Sequence, residues 1–268
     1  MPIITINEVK YHYTDTQKGD ETIVFSHGLL WSGYMFHKQE AFLKDRFRVI
    51  CYDHRGQGKT EASENGYDME TLYEDAVALI EILSPNQKVH FAGLSMGGFV
   101  AMRLAARRPD LLKSVILMET SADAEPKENV GKYKTLNSIV KWIGTWAVVG
   151  QVMPIMFGQK FLNDKSRKAE RHEWESQMKL CKSPGIVKAV AGVIERKPIF
   201  DELSNIPLPT LIMVGTQDVA TIPAKAERIQ SQITNSQLVY IEGGGHTSSI
   251  EEPEQVNLAI DNFLKTIG

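Results

Sequence analysis

Three side chains far apart in the chain, Ser95, Asp218 and His246, have the types and settings needed for nucleophilic catalysis. Ser95 sits in Gly93-Leu94-Ser95-Met96-Gly97-Gly98, between an apolar run at 89–92 and a helical pattern starting near Phe99. A G-x-S-x-G segment between a strand and a helix describes a strained turn that lifts the serine hydroxyl out of a sheet. Gly93 and Gly97 fit a turn too tight for a Cβ. Glycine also accepts backbone angles that cost other residues about 1–2 kcal/mol.

A serine hydroxyl is a poor nucleophile at neutral pH and needs a base, normally a histidine oriented by a carboxylate. Of the seven histidines, His246 lies in the Gly-rich segment Gly243-Gly244-Gly245-His246, between the last expected strand and the last helix. His90 is inside a strand and reads as structural, and His12, His37 and His172 read as surface residues. Asp218 follows a strand, where a doubly wound sheet places its sites. Glu119 also ends a strand and is the rival acid, or else a substrate contact or a structural hydrogen-bonding group. The tetrahedral intermediate needs two N–H donors aimed at its oxyanion. Met96, opening a helix whose dipole favours negative charge, is expected to give one. Leu29, in Ser26-His27-Gly28-Leu29-Leu30-Trp31, is expected to give the other, with His27 as a turn brace.

The elements that must carry these groups are legible as short apolar runs. Strands are expected at Ile23–Phe25, Phe47–Tyr52, Val89–Ala92, Ser114–Met118, Thr210–Val214 and Gln237–Ile241. Most are apolar on both faces, as in a parallel sheet covered on each side. Helical patterns alternate with them: Asp68–Leu83, ended by Pro85; Phe99–Arg107; Pro223–Gln232; and Pro253–Leu264. This alternation predicts an α/β fold with a doubly wound, mostly parallel sheet. From 121 to 201 no strand is expected, and three of the four tryptophans fall there. The segment reads as a helical cap inserted into a core made of 1–120 and 202–268. Trp142, Trp146, Met153, Met156 and Phe157, with Trp31 and Glu119 from the core, are candidates for a substrate pocket over Ser95.

The motifs together resemble the α/β-hydrolase fold family. They are His27-Gly28, the turn Asp53-His54-Arg55-Gly56-Gln57-Gly58-Lys59-Thr60, the elbow Gly93–Gly98, Asp218, and Gly245-His246, and they follow the family's order along the whole chain. Thr60 stands where serine is commoner, and Asp53 and Arg55 read as braces for loops. The resemblance implies a Ser95–His246–Asp218 triad in the family's nucleophile–acid–histidine order. A serine at the elbow also argues against the members that use an aspartate nucleophile.

Composition sets the outer limits. The chain has 268 residues, 43% hydrophobic and 24% charged, with net charge −3, ordinary values for a globular domain. That charge gives no reason to expect nucleic acid or an anionic membrane as partner. Two cysteines without a ligand set predict neither a disulfide framework nor a zinc site, and no cofactor is expected. Without a signal-like segment or a span of roughly 18 apolar residues, a cytoplasmic protein is expected. Oligomeric state is silent. The expected function is a serine carboxylesterase or lactonase acting on small to medium apolar substrates through an acyl-enzyme. Alternatives are a carbon–carbon bond hydrolase of the meta-cleavage type, a cofactor-free haloperoxidase-like member, and a non-catalytic receptor on the same fold. A basic residue facing the cavity would favour carbon–carbon hydrolysis; Lys127, Lys132 and Lys134 are expected on the outer face instead.

Overall fold

The computed structural model describes residues 2–267. Its strands are β1 (Ile3–Ile6), β2 (Val9–Asp15), β3 (Glu21–Ser26), β4 (Phe47–Tyr52), β5 (Val89–Leu94), β6 (Leu112–Met118), β7 (Thr210–Gly215) and β8 (Ser236–Ile241). They form one sheet in the order β1-β2-β4-β3-β5-β6-β7-β8. β1 pairs antiparallel with β2, and β2 with β4; every other pairing is parallel. The six strand runs expected from the sequence all lie in this sheet. β1 and β2 are additional. Their signal is alternation (Val9 and Tyr11 buried, Lys10 exposed) rather than a continuous apolar run, because an antiparallel edge is covered on one face only.

The helices are α1 (His37–Leu43), α2 (Met69–Leu83), α3 (Met96–Arg107), α4 (Lys127–Trp142), α5 (Val149–Met156), α6 (Gln159–Asn163), α7 (Lys168–Lys179), α8 (Ser183–Ile194), α9 (Pro223–Gln230), α10 (Ser248–Glu251) and α11 (Pro253–Lys265). Buried side chains of α2, α3 and α9 join one apolar cluster, and those of α11, with Leu43 of α1, join the other. The two clusters share the strands' alternating side chains, as in Val24 on one face and Ile23 and Phe25 on the other. This is the doubly wound arrangement. α2 begins where Asp68 accepts from the Glu70 and Thr71 amides at 3.1 and 3.0 Å, a cap that contributes about 1 kcal/mol.

Between β6 and β7 the described residues form α4 to α8 and connecting turns, with no strand among them. Three of their aromatic residues, Phe157, Phe161 and Trp174, pack against or behind Trp31 of the loop after β3. Trp31 meets Phe157 and Trp174 edge-on, with ring centroids 5.9 and 5.5 Å apart, and Phe157 stacks on Phe161 at 4.8 Å. None of the described helices is long and apolar enough to cross a membrane.

His12 departs from its expected place at the surface. It is buried in β2, with its imidazole Nδ1 2.9 Å from an Asp53 carboxylate oxygen. Alternation places it on the same face as Lys10, and the Asp53–Thr60 turn covers it there, with the His12 amide donating to the Thr60 hydroxyl at 2.9 Å. His90 is buried in β5 against the Ser114 hydroxyl at 2.7 Å, as its strand position implies.

Candidate active site

Ser95 lies between the last residue of β5 and the first of α3, with φ 52° and ψ −110°. An L-residue pays for that left-handed backbone with about 1–3 kcal/mol of strain, and such strain persists only where the surroundings impose it. Here they do. The Ser95 amide donates to the Met118 carbonyl at 2.9 Å, and the Thr120 hydroxyl donates to the Ser95 carbonyl at 2.9 Å. Gly93 and Gly97 have ordinary φ, so they are required for close approach and not for backbone freedom. A Cβ on Gly93 would stand 2.2 Å from the Gly97 carbonyl oxygen, and one on Gly97 would stand 2.0 Å from that of Ser26. The same closeness starts α3 at Met96, three residues before the helical periodicity becomes visible.

The Ser95 hydroxyl is 2.9 Å from His246 Nε2, and His246 Nδ1 is 2.9 Å from Asp218 Oδ2. Ser95 is half-buried, while His246 and Asp218 are 5% and 3% exposed. The turn after β7 fixes the acid. Asp218 Oδ1 accepts from the Ala220 and Thr221 amides at 2.8 and 3.0 Å, and Oδ2 accepts from the Thr221 hydroxyl at 2.7 Å. Burial alone would push this carboxyl up, but the His246 charge and these hydrogen bonds outweigh it and hold it below its ordinary range. Thr221 also lies 3.2 Å from His246 Nδ1. It carried no motif in the sequence, only its place three residues after Asp218.

Glu119 does not reach His246. It is fully buried; its Oε1 accepts from the Ser248 hydroxyl at 2.6 Å and its Oε2 has no partner. Burial, with the nearby Asp218 and Glu251 charges, pushes its carboxyl well above the ordinary range. The carboxylate facing the histidine is Asp218.

On the other side of Ser95, the loop after β3 carries Leu29. Its neighbour Leu30 donates its amide to Gln57 Oε1 at 2.9 Å, and the Gly33 amide donates to Asp53 Oδ1 at 2.7 Å. The Asp53–Thr60 turn thus props the loop, as expected, and Arg55 is held in the core by both oxygens of Asp75 at 2.5 and 2.8 Å. His27 Nδ1 donates to the Gly28 carbonyl at 2.7 Å, and its Nε2 accepts from the His54 amide at 2.9 Å. Burial pushes its pKa down, which keeps the ring neutral for that acceptor role. The Met96 amide, as the first of α3, has no carbonyl one turn earlier within the helix.

A cavity of about 130 Å³ opens beside Ser95 and His246. Of the candidate lining residues Met156 lines it and the others do not; Leu29, the candidate oxyanion donor, lines it too. Trp142 and Trp146 are 81% and 63% exposed on the outside. Met153 and Phe157 are buried in the packing between insertion and sheet, as is Trp31. The lining is aliphatic instead: Leu136 and Val140 of α4, Val152 of α5, Ile186 and Val190 of α8. On α4, Tyr133, Leu136, Asn137 and Val140 recur at helical spacing and face inward, which leaves Trp142 on the other side. Arg196 and Lys225 also reach the cavity, each already matched by an acid: Arg196 to Glu125 at 2.6 Å, Lys225 to Asp123 at 2.8 Å. Among the described residues no group of three or more His, Cys, Asp or Glu is arranged to hold a metal ion.

The loop bearing His246 is anchored by a residue the motifs did not mark. Glu251 accepts from the Gly245 and Thr247 amides at 3.1 and 3.2 Å, the Thr247 hydroxyl at 3.1 Å and the Gly158 amide at 2.8 Å. It therefore ties the insertion to the histidine loop. Burial outweighs these four donors and pushes its carboxyl up to about 7. An acid whose pKa is raised on folding contributes stability that is full below its unfolded value and is lost as pH rises through the folded value. The stability advantage of wild type over Glu251→Gln is therefore expected to shrink by about 3 kcal/mol between pH ~4.5 and ~7. Urea unfolding of both proteins across that range measures it; a constant gap would contradict it.

The sequence profile of the alpha/beta hydrolase fold family matches residues 21–149, and that of the TAP-like protein family matches 174–267. A putative non-heme bromoperoxidase, BpoC, of Mycobacterium tuberculosis is 30% identical over 95% of this chain and 97% of its own length. The crystal structure of the enol-lactonase from Burkholderia xenovorans LB400 superposes with a TM-score of 0.91 at 26% identity, covering 98% of this chain and 100% of that one. A thermophilic esterase from Thermogutta terrifontis superposes with a TM-score of 0.89 at 27% identity, covering 97% and 94%.

Proposed function

The chain belongs to the α/β-hydrolase fold family and is a hydrolase, and from that premise we propose that it cleaves esters or lactones of small apolar acids through an acyl-enzyme on Ser95. The observation that carries this reading is the unbroken line of hydrogen bonds from Asp218 through His246 to Ser95, ending at an apolar cavity.

In this mechanism Ser95 Oγ attacks the substrate carbonyl carbon while its proton passes to His246 Nε2. The carbonyl electrons move to oxygen, and the Leu29 and Met96 amides donate to that oxyanion. Asp218 holds the Nδ1–H tautomer and stabilises the imidazolium. The tetrahedral intermediate collapses, the C–O bond to the leaving group breaks, and the alkoxide takes the proton from His246. Water then attacks the acyl-Ser95 carbonyl, giving its proton to His246, and the acid leaves as Ser95 is restored. In a lactone the alkoxide remains tethered to the acid. Residues 121–201 serve as a cap that supplies the roof of the cavity.

Cavity size and lining narrow the substrate. A space of this volume is near the ~150 Å³ that encloses one benzene molecule, so an acyl group of a few carbons fits and a long one does not. The names of the similar esterase and enol-lactonase agree with an ester or lactone. Carbon–carbon hydrolysis of a dienol acid fits less well, because both cations at the cavity are already paired with carboxylates. A panel of p-nitrophenyl acetate, butyrate and octanoate with γ-butyrolactone tests the reading. Butyrate is expected to be turned over faster than octanoate. Val152→Phe, which fills the cavity, should lower kcat/KM for butyrate by roughly 10–100-fold and for acetate far less, given 1–3 kcal/mol per methylene of pocket discrimination. A folded protein inactive on all four compounds would refute the proposal.

A further inference from the structure

The net charge of the chain averages over an uneven distribution. Residues 121–200 carry fourteen Lys and Arg against eight Asp and Glu, although the whole chain is at −3. On the outer side of this basic segment four large apolar side chains are exposed: Trp142 at 81%, Ile143 at 56%, Trp146 at 63% and Leu180 at 73%. Hydrogen bonds bring the segments that carry them together. Trp142 ends α4 and Ile143 follows it, and Trp146 Nε1 donates to the Ile143 carbonyl at 3.1 Å. The Thr145 hydroxyl lies 3.2 and 3.1 Å from the carbonyls of Lys179 and Cys181, which bracket Leu180.

Ammonium groups surround the patch. Lys141 Nζ lies 5.5 Å from the Trp142 ring centroid, Lys134 is two turns back on the same side of α4, and Lys179 and Lys182 flank Leu180. All four are exposed. Lys179 lies 3.9 Å from Glu175.

We propose that this face docks the protein on an anionic phospholipid surface. Indole and aliphatic side chains ringed by lysines match the headgroup boundary, where apolar groups enter the acyl edge and ammonium groups meet phosphates. Charge sets the orientation, because the rest of the chain is acidic and is repelled by the surface that attracts the cap. A second copy of the chain matches the patch poorly, since a two-fold contact brings lysine against lysine. Val140 and Val148, just before and just after the patch residues in sequence, line the cavity, so a docked molecule holds its cavity beside the bilayer.

The full chain mixed with vesicles of equimolar phosphatidylcholine and phosphatidylglycerol tests this, read by co-sedimentation and tryptophan emission. Trp31 and Trp174 are 3% and 1% exposed, so a lipid-induced blue shift reports Trp142 and Trp146. Wild type should bind and shift blue, bind weakly to pure phosphatidylcholine, and be released by salt. Binding should fall at least about tenfold in Trp142→Ser/Trp146→Ser and in Lys134→Glu/Lys141→Glu, with p-nitrophenyl acetate turnover in free solution unchanged in both. Absence of wild-type binding, or equal binding by either variant, would overturn the proposal. So would a lipid-free dimer that the tryptophan variant dissolves, which would assign the patch to a second copy.

Discussion

Replacing Ser95 with alanine should reduce kcat on p-nitrophenyl butyrate by about 10⁴–10⁶-fold, the scale on which a triad nucleophile fails when removed. Any residue of activity would come from the cavity and from the oxyanion donors, which the substitution leaves in place. Alanine keeps a Cβ on the strained backbone at φ 52°, so its melting temperature should stay close to that of wild type. Ser95→Gly separates chemistry from strain. Glycine adopts this backbone without steric cost, so that variant should be equally inactive yet about 1 kcal/mol more stable, after allowing for its greater freedom when unfolded. Steady-state kinetics and thermal melts of the two variants decide the matter. Substantial turnover by a folded Ser95→Ala protein would remove Ser95 from the mechanism.

The second large effect separates the two acids. Asp218→Asn should cost roughly 10⁴-fold in kcat, and the geometry gives the reason. Two backbone amides, from Ala220 and Thr221, already donate to Asp218 Oδ1. An asparagine must therefore turn its carbonyl oxygen toward them and its NH₂ toward His246. Its proton then faces Nδ1, which forces the imidazole proton onto Nε2, where the ring can no longer accept from Ser95. Glu119→Gln should change kcat only a few-fold. Its carboxyl bonds the Ser248 hydroxyl and not His246, and an amide of the same shape keeps an oxygen to accept from that hydroxyl. A Glu119→Gln enzyme crippled more than Asp218→Asn would reverse the assignment.

Legibility followed locality. The elbow at 93–98, the strand runs of the parallel sheet and the order of Ser95, Asp218 and His246 were readable because each motif is a local answer to a local constraint. Apolar runs mark strands buried on both faces, and paired glycines mark a turn where carbonyl oxygens stand about 2 Å from the missing Cβ positions. The pocket was not readable in that way. Trp142 and Trp146 have the composition expected of a lining, but one helix presents Tyr133, Leu136 and Val140 inward and leaves Trp142 outside. Which side of such a helix faces the sheet depends on how the segment between β6 and β7 docks, and docking is a property of two surfaces together. The anchoring role of Glu251 is not local either, since its partners at 158, 245 and 247 converge only after folding.

The amino-acid sequence by itself determined the sheet class, the serine elbow and the candidate acid and base, because these rest on backbone sterics and strand burial within a few residues. Only the tertiary structure decided that Asp218 and not Glu119 faces the histidine, that aliphatic side chains line the cavity, and that the tryptophans of the insertion stand apart on a basic outer face. Each of those outcomes depends on distances between segments tens to more than a hundred residues apart, which spacing along the chain does not encode.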